Sequence, residues 1–156
     1  MKRSTAREIA VQIVFSADGD SAALRSAAED FFTEEHYSTL AEIDELYSEF
    51  PDKKQMEYIT RVITTVADNL EDIDAAIEKY STGGKISRIS KTALAVLRCA
   101  VCEISYMDDI PDSAAINEAV ELDKGYDEPE TVSFVNAVLG AFVRAEKSPF
   151  TEASDK

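Results

Sequence analysis

The sequence predicts an all-α protein, a compact bundle of about seven helices, on three observations. Apolar residues recur along most of the chain at steps of three and four, the spacing of one helix face. No stretch sustains the period-two alternation between hairpin turn signals that marks strands. One segment, "SKTALAVLRCAVCEISYM" at residues 90–107, is apolar on nearly every side and reads as a central helix that the others surround.

The elements follow in order. Thr5 and Glu8 form the T-x-x-E pattern of a capping box ahead of Ile9, Ala10, Ile13 and Val14, and Asp18-Gly19-Asp20 ends this first helix. Ser21 is placed to cap a second, whose Leu24, Ala27, Ala28, Phe31 and Phe32 line one face. Residues 36–50 permit either an extension of that helix or a separate short one. Pro51-Asp52 restarts the pattern: Asp52 and Gln55 suit a capping box, and Met56, Ile59, Ile63, Val66 and Leu70 step by threes and fours. A shorter helix carries Ile73, Ala76, Ile77 and Tyr80 and stops at Ser81-Thr82-Gly83-Gly84. After the central helix from Ser90, Pro111 and Ser113 open another that Gly125 ends, just past Lys124. The last begins near Pro129 and carries Val132, Val135, Leu139, Phe142 and Val143 on one side. A single domain over residues 1–146 is expected, with a flexible tail at 147–156.

A chain of 156 residues, 45% hydrophobic and 30% charged, can bury a real core and is unlike a disordered polymer. No apolar run reaches the ~18 residues of a membrane span, and the start "MKRSTAREIA" lacks the apolar region of an export signal, so a cytoplasmic location is expected. Sixteen Lys and Arg against 31 Asp and Glu give a net charge of −15, a field that repels phosphate polymers and favours basic partners. Two basic islands interrupt it: Lys2, Arg3 and Arg7 at the start, and Lys79, Lys85, Arg88, Lys91 and Arg98 in an acid-free run from 79 to 102.

Catalytic patterns are scarce. The lone histidine, His36, sits in an acidic run and is expected at the surface; no phosphate loop, dinucleotide fingerprint or Gly-flanked serine occurs. Glu118 and Glu121 lie three apart beside Lys124, which suits solvated acids better than an acid–base pair. Cys99 and Cys102 make a CxxC in mid-helix among Ala, Val and Leu, where packing is favoured over redox chemistry. The chain is expected to bind rather than catalyse, with no cofactor and no metal.

Four segments, "STAREIAVQIVF", "ALAVLRCAVCEISY", "AAINEAVELDKGY" and "SFVNAVLG", together resemble the NusB family of bacterial transcription antitermination factors. The resemblance covers most of residues 4–16 and 59–143. It implies two three-helix bundles packed crosswise and a non-enzymatic role. It further implies binding of single-stranded boxA RNA in nascent ribosomal transcripts, together with NusE, a small-subunit ribosomal protein, within the RNA polymerase antitermination complex that passes terminators. The same fold serves as the RNA-binding domain of ribosomal RNA cytosine methyltransferases, but the sequence carries no methyl-donor fingerprint.

Unpaired RNA is held by cations on phosphates and flat side chains on bases. The family's basic leading segment falls on Lys2, Arg3 and Arg7, which a helix N-terminus would present to phosphate. Phe15, where the family often has tyrosine, suits either stacking or the core; Phe134 leans to the surface because Val132, Val135 and Leu139 define the buried side. Arg7 and Phe134 are expected to share one cradle, with Glu130 at an acidic position the family uses near RNA. Lys85, Arg88 and Lys91 form a second basic island. Asn117 and Asn136 are expected buried, pinning backbone between helices, and Arg98 and Glu118 as an interhelical pair. The chain departs from its relatives at Ala137, where glycine is common, in a less basic start, and in a loop "STGGKISR" without tryptophan. An acidic protein-interaction module of the same fold without RNA contact is the alternative function, and a homodimer stays open.

Overall fold

The computed structural model describes residues 1–147, so the expected tail lies, apart from Lys147, outside the described residues. Seven α-helices and two short 3-10 turns make up the described residues, with no strand among them. Contacts divide the chain into two compact units, Met1–Leu70 and Glu71–Lys156.

The first unit holds α1 (Arg3–Ala17), α2 (Ser21–Asp30), α3 (Glu34–Ala41) and the leading part of α4 (Lys53–Tyr80). α1 starts before the expected capping box, with Lys2 in the N-cap position and no side-chain cap, so Thr5 and Glu8 lie inside the helix. α2 is capped by Asp20 rather than Ser21: its Oδ1 accepts from the amides of Ala22 at 2.9 Å and Ala23 at 3.2 Å. Residues 36–50 resolve into the separate α3, capped by Thr33, and a 3-10 turn over Glu45–Tyr47 capped by Asp44. Asp52 does cap α4, accepting from the Gln55 amide at 3.0 Å. Ile9, Ile59, Ile63 and Leu24 are fully buried. Beside them Phe31, Phe32, Tyr37, Tyr47 and Phe50 pack mostly edge to face, the geometry that aromatic quadrupoles favour. The Tyr37 hydroxyl donates to the Glu49 carbonyl at 2.8 Å, and burial, then Glu49, pushes its pKa up to about 12.

The two helices expected between residues 52 and 80 form a single α4 with a kink at Asn69, whose φ of −126° and ψ of 20° are non-helical. The Asn69 side-chain amide donates to the Thr65 carbonyl at 2.9 Å, the acceptor an unbroken helix reserves for the backbone N–H of the same residue.

In the second unit α5 (Lys91–Tyr106) is buried without a break from Ala93 to Ile104, as the all-round apolar sequence requires. α6 (Asp112–Asp123) and α7 (Pro129–Glu146) pack on it and on each other. Ser90 caps α5 through the Ala93 amide at 3.1 Å, and Pro129 occupies the first turn of α7. Cys99 and Cys102 are buried thiols in mid-α5. Arg98, only 5% exposed, makes a two-pronged bond to Asp74, Nε to Oδ1 at 2.8 Å and Nη2 to Oδ2 at 2.9 Å. Its bidentate partner is therefore Asp74 on α4, a correction to the expected Glu118. Asn117 and Asn136 are also corrected: both are exposed, because Ala115 and Ala119 on α6, and Val132, Val135, Val138 and Leu139 on α7, form the buried stripes.

Candidate nucleic-acid interface

In the first unit the leading turn of α1 gathers cations around one ring. Tyr58, buried on α4, lies under the Arg3 guanidinium at 4.1 Å, with the Arg7 guanidinium 5.6 Å from the same ring centre. Arg3 Nε donates to Gln55 Oε1 at 2.7 Å. The α-amino group of Met1 donates to Glu49 at 2.7 Å and Asp52 at 3.2 Å, and these bonds, Glu49 first, raise its pKa; the Gln55 backbone amide and then the Met1 amine lower that of Asp52. Lys2 is exposed and Arg3 half-buried, so these two keep charge at the surface. Arg7 departs from expectation: at 6% exposure it is an internal group packed against Tyr58, not a phosphate contact, and the cradle it was expected to share with Phe134 is withdrawn. Phe15 is a surface ring, 43% exposed, which closes the core alternative. Twelve residues of helix separate it from Arg3, about 18 Å at 1.5 Å per residue, so ring and cations mark the two ends of α1.

In the second unit a hollow of about 220 Å³ brings together Lys85, Arg88, Glu130 and Phe134, with Thr131 and the Gly83–Gly84 turn completing the wall. The sequence shapes it locally. Gly83 has φ +75°, in the left-handed region that glycine tolerates, and a Cβ on Gly84 would lie 2.4 Å from the Ser81 carbonyl oxygen and 2.6 Å from that of Glu78. The Ile86 amide donates to Glu78 Oε1 at 3.1 Å, tying the loop back to α4. A 3-10 turn over Ile86–Arg88 then points the chain into α5. Lys85 and Arg88 are exposed, Phe134 is half-buried, and Glu130 stands exposed in the first turn of α7. Lys91 is exposed at the start of α5 but does not line the hollow. Two cations, a ring face and a carboxylate thus share one concavity, a set that can hold phosphate, stack a base and accept from a base edge.

Ser90 and Asp123, which sequence reasoning had not marked as polar anchors, support this wall. The Ser90 hydroxyl lies 3.4 Å from Asp127 Oδ1. Asp123, at the end of α6, is fully buried with neither oxygen accepting from a donor; burial first, and then Asp127, push its pKa up to about 7. Burial and a neighbouring carboxyl both favour the protonated form of Asp123. Among the described residues, no group of three or more His, Cys, Asp or Glu side chains is placed to hold a metal, and no helix is long and apolar enough to cross a membrane.

Fold and surface together define an all-helical chain that carries a cation-and-ring hollow on its second unit. The model of the NusB family matches residues 4–144. A transcription antitermination protein NusB of Acetivibrio thermocellus is 40% identical over 146 residues, 94% of this chain and 91% of that one. Another from Alkaliphilus oremlandii is 40% identical over 148 residues, 94% and 96% of the two chains. A solved structure of T. maritima NusB matches with a TM-score of 0.70 at 29% identity, across 99% of this chain and 98% of that one. The chain belongs to the NusB family, as its four segments led one to expect.

Proposed function

We propose that this chain is a transcription antitermination factor that holds single-stranded boxA RNA jointly with NusE and delivers the pair to RNA polymerase in the cytoplasm, without catalysing a reaction. The observation that carries the reading is the hollow of Lys85, Arg88, Glu130 and Phe134, set in a chain matched by its family from residue 4 to 144. In this reading Phe134 stacks a base, Lys85 and Arg88 neutralise phosphates, and Glu130 accepts from a base edge. On the first unit Lys2 and Arg3 offer further charge to phosphates and Phe15 a second ring, while Lys91 stands exposed at the start of α5. Arg7 supports Arg3 from within the first unit, both packing on Tyr58. The net charge of −15 opposes RNA, so the basic ribosomal protein supplies the remaining attraction.

Fluorescence anisotropy with labelled boxA RNA, with and without NusE at two salt concentrations, tests this. Phe134→Ala is expected to weaken the complex by about 1–3 kcal/mol, the worth of one stacked base. Equal binding of boxA and a scrambled RNA would overturn the proposal. The burial of Arg7 together with the acidic field favours a second reading, an acidic protein-interaction module that keeps the partner and not the RNA. Undiminished NusE binding with no RNA retention selects it.

A further inference from the structure

A second concavity lies in the first unit and shares no lining residue with the hollow of Lys85, Arg88, Glu130 and Phe134. Ile13, Ala27, Phe31, Leu40, Ile43 and Tyr47 line a hollow of about 520 Å³ formed by α1, α2, α3 and the turn after α3. A volume of that order, within the ~300–1,000 Å³ typical of built ligand sites, has room for a few aliphatic side chains. Ile43 is 79% exposed at its edge, the most exposed large apolar side chain described, and Phe50, 43% exposed, packs on the buried Tyr37, which in turn meets the lining Tyr47.

The charge around this hollow is one-sided. Residues 18–52 contain eleven acids and one base, Arg25, and Arg25 is already bonded to Asp68 at 3.1 Å. Asp44 lines the hollow, and Glu35, Glu42 and Glu45 are exposed immediately beside the lining residues His36, Ile43 and Asp44. An apolar floor within an acidic rim selects among occupants. RNA is repelled by the rim. A second copy would bring the same acids face to face, and like-charge juxtaposition costs several kcal/mol. The chain's own residues 148–156, "SPFTEASDK", offer one ring but two acids against one lysine.

We infer that this hollow is a docking site for a basic, amphipathic segment of a partner polypeptide, its apolar face seated on Ile13, Leu40 and Ile43 and its lysines or arginines against Glu35, Glu42, Asp44 and Glu45. The seat is of the helix-in-groove kind, in which apolar anchors three and four residues apart enter the groove and flanking charges set orientation. It is separate from the RNA hollow, and its failure leaves the proposed function standing.

The test uses the full chain and three labelled synthetic peptides: an amphipathic helix of leucine and lysine, its leucine–glutamate counterpart, and a lysine–serine peptide without leucine. The leucine–lysine peptide is expected to bind, with amide shifts in the NMR spectrum confined to residues around Ile13, Leu40 and Ile43. The lysine–serine peptide should bind at least about tenfold more weakly, and the glutamate peptide not at all. Ile43→Ser, at an exposed position with little to lose in folding, should cost about tenfold, and Glu42→Lys with Glu45→Lys a similar factor, whereas Glu121→Lys on α6 should change nothing. Equal loss from Glu121→Lys, shifts scattered over the acidic surface, or no effect of Ile43→Ser would overturn the assignment. Self-association of the chain abolished by Ile43→Ser, or groove shifts on removing residues 148–156, would give the site to another occupant and overturn it equally.

Discussion

Replacing Asp123 by asparagine should erase a pH dependence of stability that the native chain carries. The Asp123 carboxyl is fully buried, its oxygens receive no donor, and its pKa rises from 3.8 to about 7 through burial and then through Asp127. Between those two values the folded chain keeps a proton that the unfolded chain has released. Stability therefore declines as pH rises through that window and levels off above about pH 7. At about 1.4 kcal/mol per pH unit the window spans roughly 4 kcal/mol, of which roughly 2–3 kcal/mol falls between pH 5 and pH 8. Asparagine is neutral throughout and supplies an N–H to Asp127, so it imitates the protonated acid at every pH. Urea unfolding of both proteins at pH 5, 6, 7 and 8 gives the comparison, and the titrations of acids remote from the Asp123–Asp127 pair cancel in the difference. The variant should gain roughly 2–3 kcal/mol on the native chain from pH 5 to pH 8. A difference that stays constant across the four pH values would refute the reasoning, whatever its size.

Gly84→Ala should lower stability by about 1–3 kcal/mol in the same urea assay, since its Cβ meets two backbone oxygens, at 2.4 and 2.6 Å; Gly125→Ala, whose Cβ reaches only the Leu122 oxygen at 3.4 Å, should be near neutral. Asp74→Ala should cost about 3 kcal/mol by stranding the buried Arg98 charge, and adding Arg98→Met should recover much of that loss, as thermal melts would reveal. Arg7→Ala should lower the melting temperature through the lost contact with Tyr58, worth about 1 kcal/mol, yet leave the salt dependence of RNA binding unchanged. Lys85→Ala with Arg88→Ala should do the reverse, reducing the slope of log affinity against log salt by about 1.4 for two lost phosphate contacts.

Periodicity served well wherever burial is one-sided and local. The stripe of α7 and the all-round apolar α5 were readable because each residue's solvent exposure follows from its own helix, whereas the stripe expected for the second helix held only at Leu24: α2 ends at Asp30, and Phe31 and Phe32 lie beyond it in the aromatic cluster. Boundaries failed where distant residues decide them. α1 reaches back to Arg3 because Gln55 and Tyr58, some fifty positions away, hold that side chain, and a T-x-x-E pattern inside a helix looks the same as one at its start. The gap between Leu70 and Ile73 registered as a break, and the kink at Asn69 is its physical counterpart. Among the site residues, Lys85, Arg88, Glu130 and Phe134 come together although 49 positions separate the first from the last, an arrangement only the packing of α5 and α7 produces. Arg7 was misplaced for the same reason: charge predicts a surface, but a facing tyrosine can take a guanidinium indoors. Arg98 required an acid, and no rule of spacing could choose Asp74 over Glu118 without the register between helices.

The two sulfurs of α5 turn the middle of the second unit into a clock. Cys99 is 2% exposed and Cys102 is fully enclosed, both on the helix with the longest uninterrupted interior run, so an alkylating reagent reaches them only when that helix is released from its neighbours. Labelling rates followed by mass spectrometry would thus time the deepest opening of this unit, in native buffer and without any engineered probe.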